Sequence, residues 1–346
     1  MIRRKSSASL CLTIIVLLSA TSPDHIHNQA AGQAAAFQTE LEEAVEWVRS
    51  GSGVSTQYDY MLTAGVRLLF FWVSRDDVGQ GYIRRGTSTP ETPRESIQLL
   101  IGSDPAKAPM RINRWGAATE VRRPEDGICA FFGFMKSSKG ESASAMREDL
   151  SREDKAQNHR FDGIIARTSR ERSIAATVPI GSAVDFNLHQ LSLAEEMVIR
   201  QLKTAAGPVR ILNGDGSAAQ KCDSGNGFLF TVHDMIEELL SGQEAPLTHC
   251  YVYNSRRYAL TLKRCTKVPD MKITVKPRGA KEKMEIRHQD LRNAEFVILN
   301  TQTGERTDFR LVLGVSGRLR GVPVQIHYQP NWWFRATLNL MPERRQ

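Results

Sequence analysis

From His249 to Leu340 the chain is a succession of short segments in which apolar and polar residues alternate, and no other feature constrains its fold as strongly. Successive side chains of a strand point to opposite faces, so such alternation builds a sheet with one apolar face. In "GVPVQIHYQPNWWFRATLNL", Val322, Val324, Ile326 and Tyr328 alternate with Gln325, His327 and Gln329. Past a turn at Pro330 and Asn331, Trp332, Phe334, Ala336, Leu338 and Leu340 continue the apolar face, which assigns Trp332 to the core. Trp333 falls on the other face with Arg335, Thr337 and Asn339. There an aromatic ring stands beside a cation, where a solvated strand would carry polar residues alone. Upstream, "MKITVKP", "AEFVILN" and "DFRLVLG" repeat the pattern, and connectors such as "TQTGE" are short enough for a continuous antiparallel meander over His249 to Met341. In "CYVYNSRRYALTLKRC" a loop at "NSRR" sets Tyr251 opposite Leu260 and Tyr253 opposite Tyr258, gathering the aromatics on one face.

Ahead of this meander the pattern is mixed. Thr39 and Glu42 form a capping box for a helix with an apolar stripe of Leu41, Val45 and Val48, closed by Gly51. The run Val66 to Val73 is apolar on both faces and predicts a buried strand, followed by a turn at "RDDVG" and a second strand from Gly81 to Thr87. "SIQLLIG" and "GICAFFGFM" predict two more strands, and "DGIIARTSRERSIAATVPIG" a pair joined by an Arg-rich turn. Helices are expected in "SLAEEMVIRQLKTAAGP" and in "TVHDMIEELLSG", the latter starting at Thr231 and Asp234 and ending at Gly242. The fold class is therefore α+β, mostly antiparallel: a curved sheet or partly open barrel meander with a few packing helices, in one β lobe or two. The layout reads as a signal peptide over 1–20, a flexible segment over 21–37, a helix and β region over 38–135, a charged linker or exposed helix over 136–160, and an α+β region over 161–346.

The N-terminus addresses the chain out of the cytoplasm. Arg3, Arg4 and Lys5 precede the apolar run "LCLTIIVLLSA", which has the length of a signal-peptide core. A membrane span would need about 20 apolar residues, so none is expected after cleavage at Ala20 or at the later Ala34 to Ala36. The expected location is the periplasm or outer envelope, or the medium. Removing residues 1–20 takes three of the 46 basic residues and no acidic one, leaving 43 against 38. That modest excess, with no long Lys/Arg run, fits contact with anionic surfaces and not with nucleic acid. Cys129, Cys222, Cys250 and Cys265 remain, in a compartment that permits disulfides. Cys250 and Cys265 flank the tyrosine hairpin, but in the register above Cys250 faces Thr261 and Cys265 lies four residues farther on. A bridge needs Cα atoms within about 7 Å, so these two are not expected to pair.

Four stretches between Gly225 and Met341 carry a family resemblance: "TVHDMIEELL", "HCYVYNSRRYALTLKR", "AEFVILNTQTGERTDFRLVLG" and "GVPVQIHYQPNWWFRATLNL". Together they resemble an uncharacterised family of bacterial exported proteins built on a curved antiparallel β-sheet. "DDVGQGYIRRG" and "GSDPAKAPMRINRWGAA" are similar to parts of the same kind of protein. The resemblance implies location and β architecture; it brings no activity and no catalytic residue.

Motifs of chemistry are few. There is no nucleophile elbow, zinc-protease helix, P-loop or paired-cysteine motif. His233 and Glu237 stand at i, i+4 on one helix, but two ligands do not make a metal site. Asp215 and Asp223 lie in "NGDGSAAQKCDSGNG", which lacks the closing glutamate of a calcium loop. No metal or cofactor is expected. In "GSDPAKAPMRINRWG", Lys107, Arg111 and Arg114 stand beside Trp115, a set able to hold a phosphate or carboxylate. The alternative is a surface loop whose arginines pair with acids such as Asp104 and whose tryptophan plugs the core. Arg67, inside "GVRLLFFWV", requires a partner if it is buried, or else lines a cavity. The expectation is an exported envelope protein without catalysis. Its curved sheet binds a lipid-like or anionic small ligand, or an envelope partner, through Trp333, Arg335, Lys107, Arg111, Arg114, Trp115 and Arg67. The rival is an exported hydrolase whose active site is dispersed over separate strands.

Overall fold

The computed structural model describes residues 39, 40, 42–44, 46, 47, 54–68, 71–88, 93–104, 106–108, 115–123, 125, 127–138, 159–169, 172–180, 209–213, 226–253, 256–276, 282–301, 303–331 and 334–342. Among them the N-terminal half supplies β1 (Val54–Leu68), β2 (Phe71–Thr87), β3 (Glu95–Ser103), β4 (Trp115–Arg123), β5 (Ile128–Ser138), β6 (His159–Thr168), β7 (Arg172–Ile180) and β8 (Val209–Asn213). Helix α1 (Phe228–Leu240) follows, and then β9 (Leu247–Tyr253), β10 (Arg256–Val268), β11 (Met271–Val275), β12 (Met284–His288), β13 (Leu291–Asn300), β14 (Arg306–Gly314), β15 (Pro323–Asn331) and β16 (Phe334–Leu340). Fourteen of these strands form one antiparallel sheet in the order β8-β7-β6-β5-β4-β3-β2-β1-β16-β15-β14-β13-β10-β9. The two β regions meet where β1 pairs with β16, from Tyr60↔Leu340 to Val66↔Phe334, so they make one sheet. The sheet curls into a nearly closed barrel. Tyr253 on the edge strand β9 packs its ring 5.0 Å from that of Phe131 on β5, ten places away in strand order.

The alternation in the sequence decides which residues face inward. Tyr60, Leu62, Ile97, Phe131, Tyr251, Tyr258, Leu260, Leu262, Phe296, Leu311 and Leu338 share the concave face and pack in its core clusters. Helix α1, "FLFTVHDMIEELL", is apolar on more than one side, the composition of a helix enclosed by protein. It lies inside the curve: Phe230 packs on Ile97 and Cys129 at one flank, while Met235, Ile236 and Leu239 pack on β9, β10, β13 and β14 at the other. On the convex face, β11 and β12 form a separate hairpin whose Ile273 and Val275 bury Met61 of β1. Residues 39–47 are helical where described and dock Trp47 between the guanidiniums of Arg94 and Arg123, 4.9 and 4.5 Å from its ring.

Several expectations change. The apolar run Val66 to Val73 is not one buried strand: Val66 to Leu68 ends β1 and Phe71 to Val73 begins β2, the two paired out to Leu68↔Phe71, and "RDDVG" lies within β2 as an irregularity with Asp77 at φ 54°. The meander is interrupted, because "MKITV" leaves the main sheet and pairs with β12. The tyrosine hairpin keeps its faces but shifts by two residues, with Tyr251 opposite Tyr258, Tyr253 opposite Arg256 and Cys250 opposite Ala259. Cys250 is disulfide-bonded and Cys265 is free, so the pair disfavoured by the pattern does not form. Helix α1 starts at Phe228, three residues before Thr231, and Thr231 caps nothing: its hydroxyl donates back to the carbonyl of Gly227. Strands β4, β8 and β12 were not foreseen. The signal peptide, the segments 21–37 and 139–158, the stripe of Leu41, Val45 and Val48, the helix of "SLAEEMVIRQLKTAAGP", Asp215, Asp223 and Trp332 lie outside the described residues.

Candidate functional site

Two places gather chemistry. The first is inside the barrel, where β4 meets the start of α1. Glu120 points inward and has no solvent exposure. Its two carboxylate oxygens accept hydrogen bonds from the backbone N–H of Leu229 at 2.9 Å and of Phe230 at 3.0 Å. A helix N-terminus carries unpaired N–H groups and a partial positive charge, and a carboxylate answers both. Burial nevertheless dominates: it raises the Glu120 carboxyl to about 7, against the opposing pull of the helix N–H groups and of Arg122. Arg122 binds Asp234 of α1 at 2.7 Å and Glu95 of β3 at 2.6 Å, and lies 4.2 Å from the Phe230 ring. Beside them the Cys129 thiol is pushed up by burial and by Glu120. A carboxyl tuned toward neutrality is the mark of many catalytic acids. Here both of its oxygens hold a helix and no solvent reaches it, so the arrangement anchors α1.

Farther along α1, the two residues at metal-ligand spacing differ in their surroundings. Glu237 pairs with Arg320 at 2.9 Å. The His233 imidazole is lowered by burial and then by the charge of Arg85, which donates to the carbonyl of Gly321 at 3.0 Å. Tyr60 closes this layer by donating to the carbonyl of Pro323 at 2.8 Å.

The second place is the end of the β1–β2 hairpin. Register puts Gly65 between Ser74 and Arg335, and Arg67 opposite Trp72, all on the convex face. Arg335 donates to Ser74 Oγ at 2.8 Å and stacks 4.5 Å from the Trp72 ring. On the concave face of the same end, Phe71 is 59% and Val73 45% exposed, and Tyr328 of β15 is 40% exposed nearby. Arg67 is exposed, so the condition under which it would need a buried partner does not arise. Lys107 is also exposed and is bound to Asp77 at 3.0 Å, with Asp104 at 4.0 Å, while its carbonyl accepts from Arg75 at 2.9 Å. Trp115 opens β4, and its side chain lies outside the described residues, as do Arg111, Arg114 and Trp333. Arg335 and Arg67 thus share the convex face at this end, whereas Lys107 is tied to Asp77 and Arg75 of β2, and Arg75 stands opposite Ala64 on the other face. Sequence reading missed Phe71, Trp72 and Val73 as site residues because an unbroken apolar run signals burial. It missed Glu120 because nothing in "GAATEVRR" names a partner 110 residues away.

The fold and these two places define a class: a barrel-like antiparallel β protein whose lumen is filled by its own helix. Among known structures, the chain is similar to a β-barrel-like protein of a domain of unknown function, DUF1849, from Brucella abortus, with a TM-score of 0.42 and 8% identity over 84% of this chain and 98% of that one. No protein-family model matches the sequence, and no curated protein does.

Proposed function

We propose that this protein is exported to the cell envelope and works there without catalysis, binding an amphipathic, anionic ligand at the open end of the sheet. One observation carries the reading. Exposed apolar side chains on the concave face (Phe71, Val73 and Tyr328) and exposed cations on the convex face (Arg67 and Arg335) share one end of the sheet. An apolar body on the concave side with a negative head reaching over the strand ends fits such an arrangement, since arginine holds phosphate or carboxylate with a planar fork of donors. The basic sequence and the N-terminal signal pattern support contact with a negatively charged envelope molecule. Catalysis is disfavoured by the site itself: Glu120 is committed to the start of α1, and Arg122 to Asp234.

The test is calorimetry of the full mature chain with dodecyl phosphate kept below its micelle concentration, and with dodecyl maltoside as the uncharged control. Saturable binding of the phosphate, weakened by Arg335→Gln and not matched by the maltoside, is expected. Equal binding of both, or of neither, overturns the reading. Export is checked on the envelope fraction, where the N-terminal sequence of the protein should start beyond residue 20.

A further inference from the structure

We propose that the protein carries a second site, at the opposite end of the β1–β2 ladder from Phe71, where Tyr58, Arg85 and His233 hold the carboxylate of a small organic acid.

Tyr58 of β1 stands opposite Ile83 of β2, so Arg85 is its diagonal neighbour on the concave face, within reach of a long side chain. Arg85 interacts electrostatically with Tyr58, and its charge also lowers the imidazole of His233 on α1. All three residues are half-buried, while Thr56 and Thr87 beyond them are exposed, so water reaches this end of the ladder. Their donors are in large part unused. Arg85 donates from Nη2 to the carbonyl of Gly321 at 3.0 Å. Its other donors, the Tyr58 hydroxyl and the His233 ring have no hydrogen-bond partner among the described residues. Nδ1 of His233 is sealed from water, and Nε2 is not. A buried N–H without an acceptor is rarer than an unfilled lone pair, which assigns the proton to Nε2 and makes it a donor open to solvent.

Charge selects the class of ligand. Arg85 has no carboxylate within ion-pair distance among the described residues. Glu237, one turn along α1 from His233, acts on Arg85 from farther off and is itself held by Arg320 at 2.9 Å. Two guanidiniums thus share one carboxylate, and His233, lowered by burial and then by Arg85, adds no charge at neutral pH. The excess is one positive charge on a half-buried side chain, where an unanswered charge is costly. One negative charge cancels it, whereas the second charge of a phosphate dianion would be set against Glu237. The donors agree. A guanidinium fork takes both oxygens of a carboxylate, and Tyr58 with Nε2 of His233 supplies the lone pairs that remain.

The experiment is an NMR titration of the full mature chain with sodium propionate at neutral pH and constant ionic strength, following the ring carbons of His233. Inorganic phosphate and chloride serve as comparison anions. A saturable shift with propionate is expected, about tenfold weaker in affinity with phosphate and absent with chloride. Arg85→Gln should weaken propionate binding about tenfold, and Tyr58→Phe about threefold. Glu237→Gln removes the competing negative charge and should strengthen binding about fivefold, a gain that no folding defect imitates. If circular dichroism shows that Arg85→Gln does not fold, Tyr58→Phe and Glu237→Gln decide. The proposal is overturned by the lack of a saturable shift in the parent chain, or by phosphate binding as tightly as propionate. Unchanged affinity in a folded Arg85→Gln chain or in Glu237→Gln overturns it as well.

Discussion

The backbone N–H of Phe230, in the first turn of α1, donates to the carboxylate of Glu120 in the middle of β4, at 3.0 Å and without solvent exposure. One strand of the barrel thereby fixes the register of the helix that fills it. Replacing Glu120 by Ala leaves buried donors without an acceptor, each at about 1–3 kcal/mol, so chemical denaturation should show a loss of about 3 kcal/mol or more. Glu120→Gln retains one acceptor oxygen and should cost about half of that. Gly227→Ala should destabilise as well, since a Cβ there would stand 2.5 Å from the Glu120 carboxyl carbon.

The same carboxyl makes stability depend on pH in a direction unusual for an acid. Its folded value is raised from 4.5 to about 7, so the folded state holds the proton more tightly than the unfolded one. The contribution is full below about 4.5 and is lost as pH rises through 7, with a span on the order of 3 kcal/mol. The difference in unfolding free energy between the parent and Glu120→Gln, measured from pH 4.5 to 8, should follow that curve. A flat difference would show that Glu120 does not titrate in this window.

His327 on the convex face behaves in the opposite sense. Burial first, then Arg310 and Arg335, lower its imidazole from 6.5 to about 4. It hydrogen-bonds Thr337 at 3.2 Å and the Gln325 side chain, within a row that continues through Asn339 toward Thr63. Its stabilising contribution is full above about 6.5 and is lost as pH falls through 4. NMR titration of the ring carbons should therefore find this histidine neutral at pH 5.5, where an exposed one is protonated.

Thiol chemistry should separate the cysteines. Cys129 is buried and Cys265 half-buried; both are free, and burial raises both thiols, whereas Cys250 is disulfide-bonded. Maleimide treatment of the native protein followed by peptide mapping should modify Cys265 slowly and Cys129 not at all. Unfolding without reductant should expose Cys129 and leave Cys250 protected.

Much of the sheet was legible because face and period are local. Tyr251, Leu260 and Leu338 are buried as their alternation requires. The tyrosine register slipped because a shift of two residues keeps every side chain on its own face; only the turn between Tyr253 and Arg256 distinguishes the alternatives. "MKITV" has the pattern of a sheet strand and forms one, but alternation does not say with which neighbour. Of the candidate site, Arg335 and Arg67 were legible as cations among aromatics, while their aromatic neighbour, Trp72, was hidden in a run that read as core.

The sequence by itself determined that this chain is dominated by antiparallel strands, which residues of its last strands face inward, and that "TVHDMIEELL" is a helix. Each of these follows from spacings of two or of three to four residues, which bind a side chain to its near neighbours. Only the tertiary structure decided that β1 and β16 join the two halves, that α1 lies inside the curve with Glu120 at its head, and that Phe71 and Val73 of the most apolar run end exposed. Those outcomes depend on which distant segments cover one another. Burial is a property of the whole packing, so an apolar run records a preference for leaving water without recording whether this chain alone satisfies it.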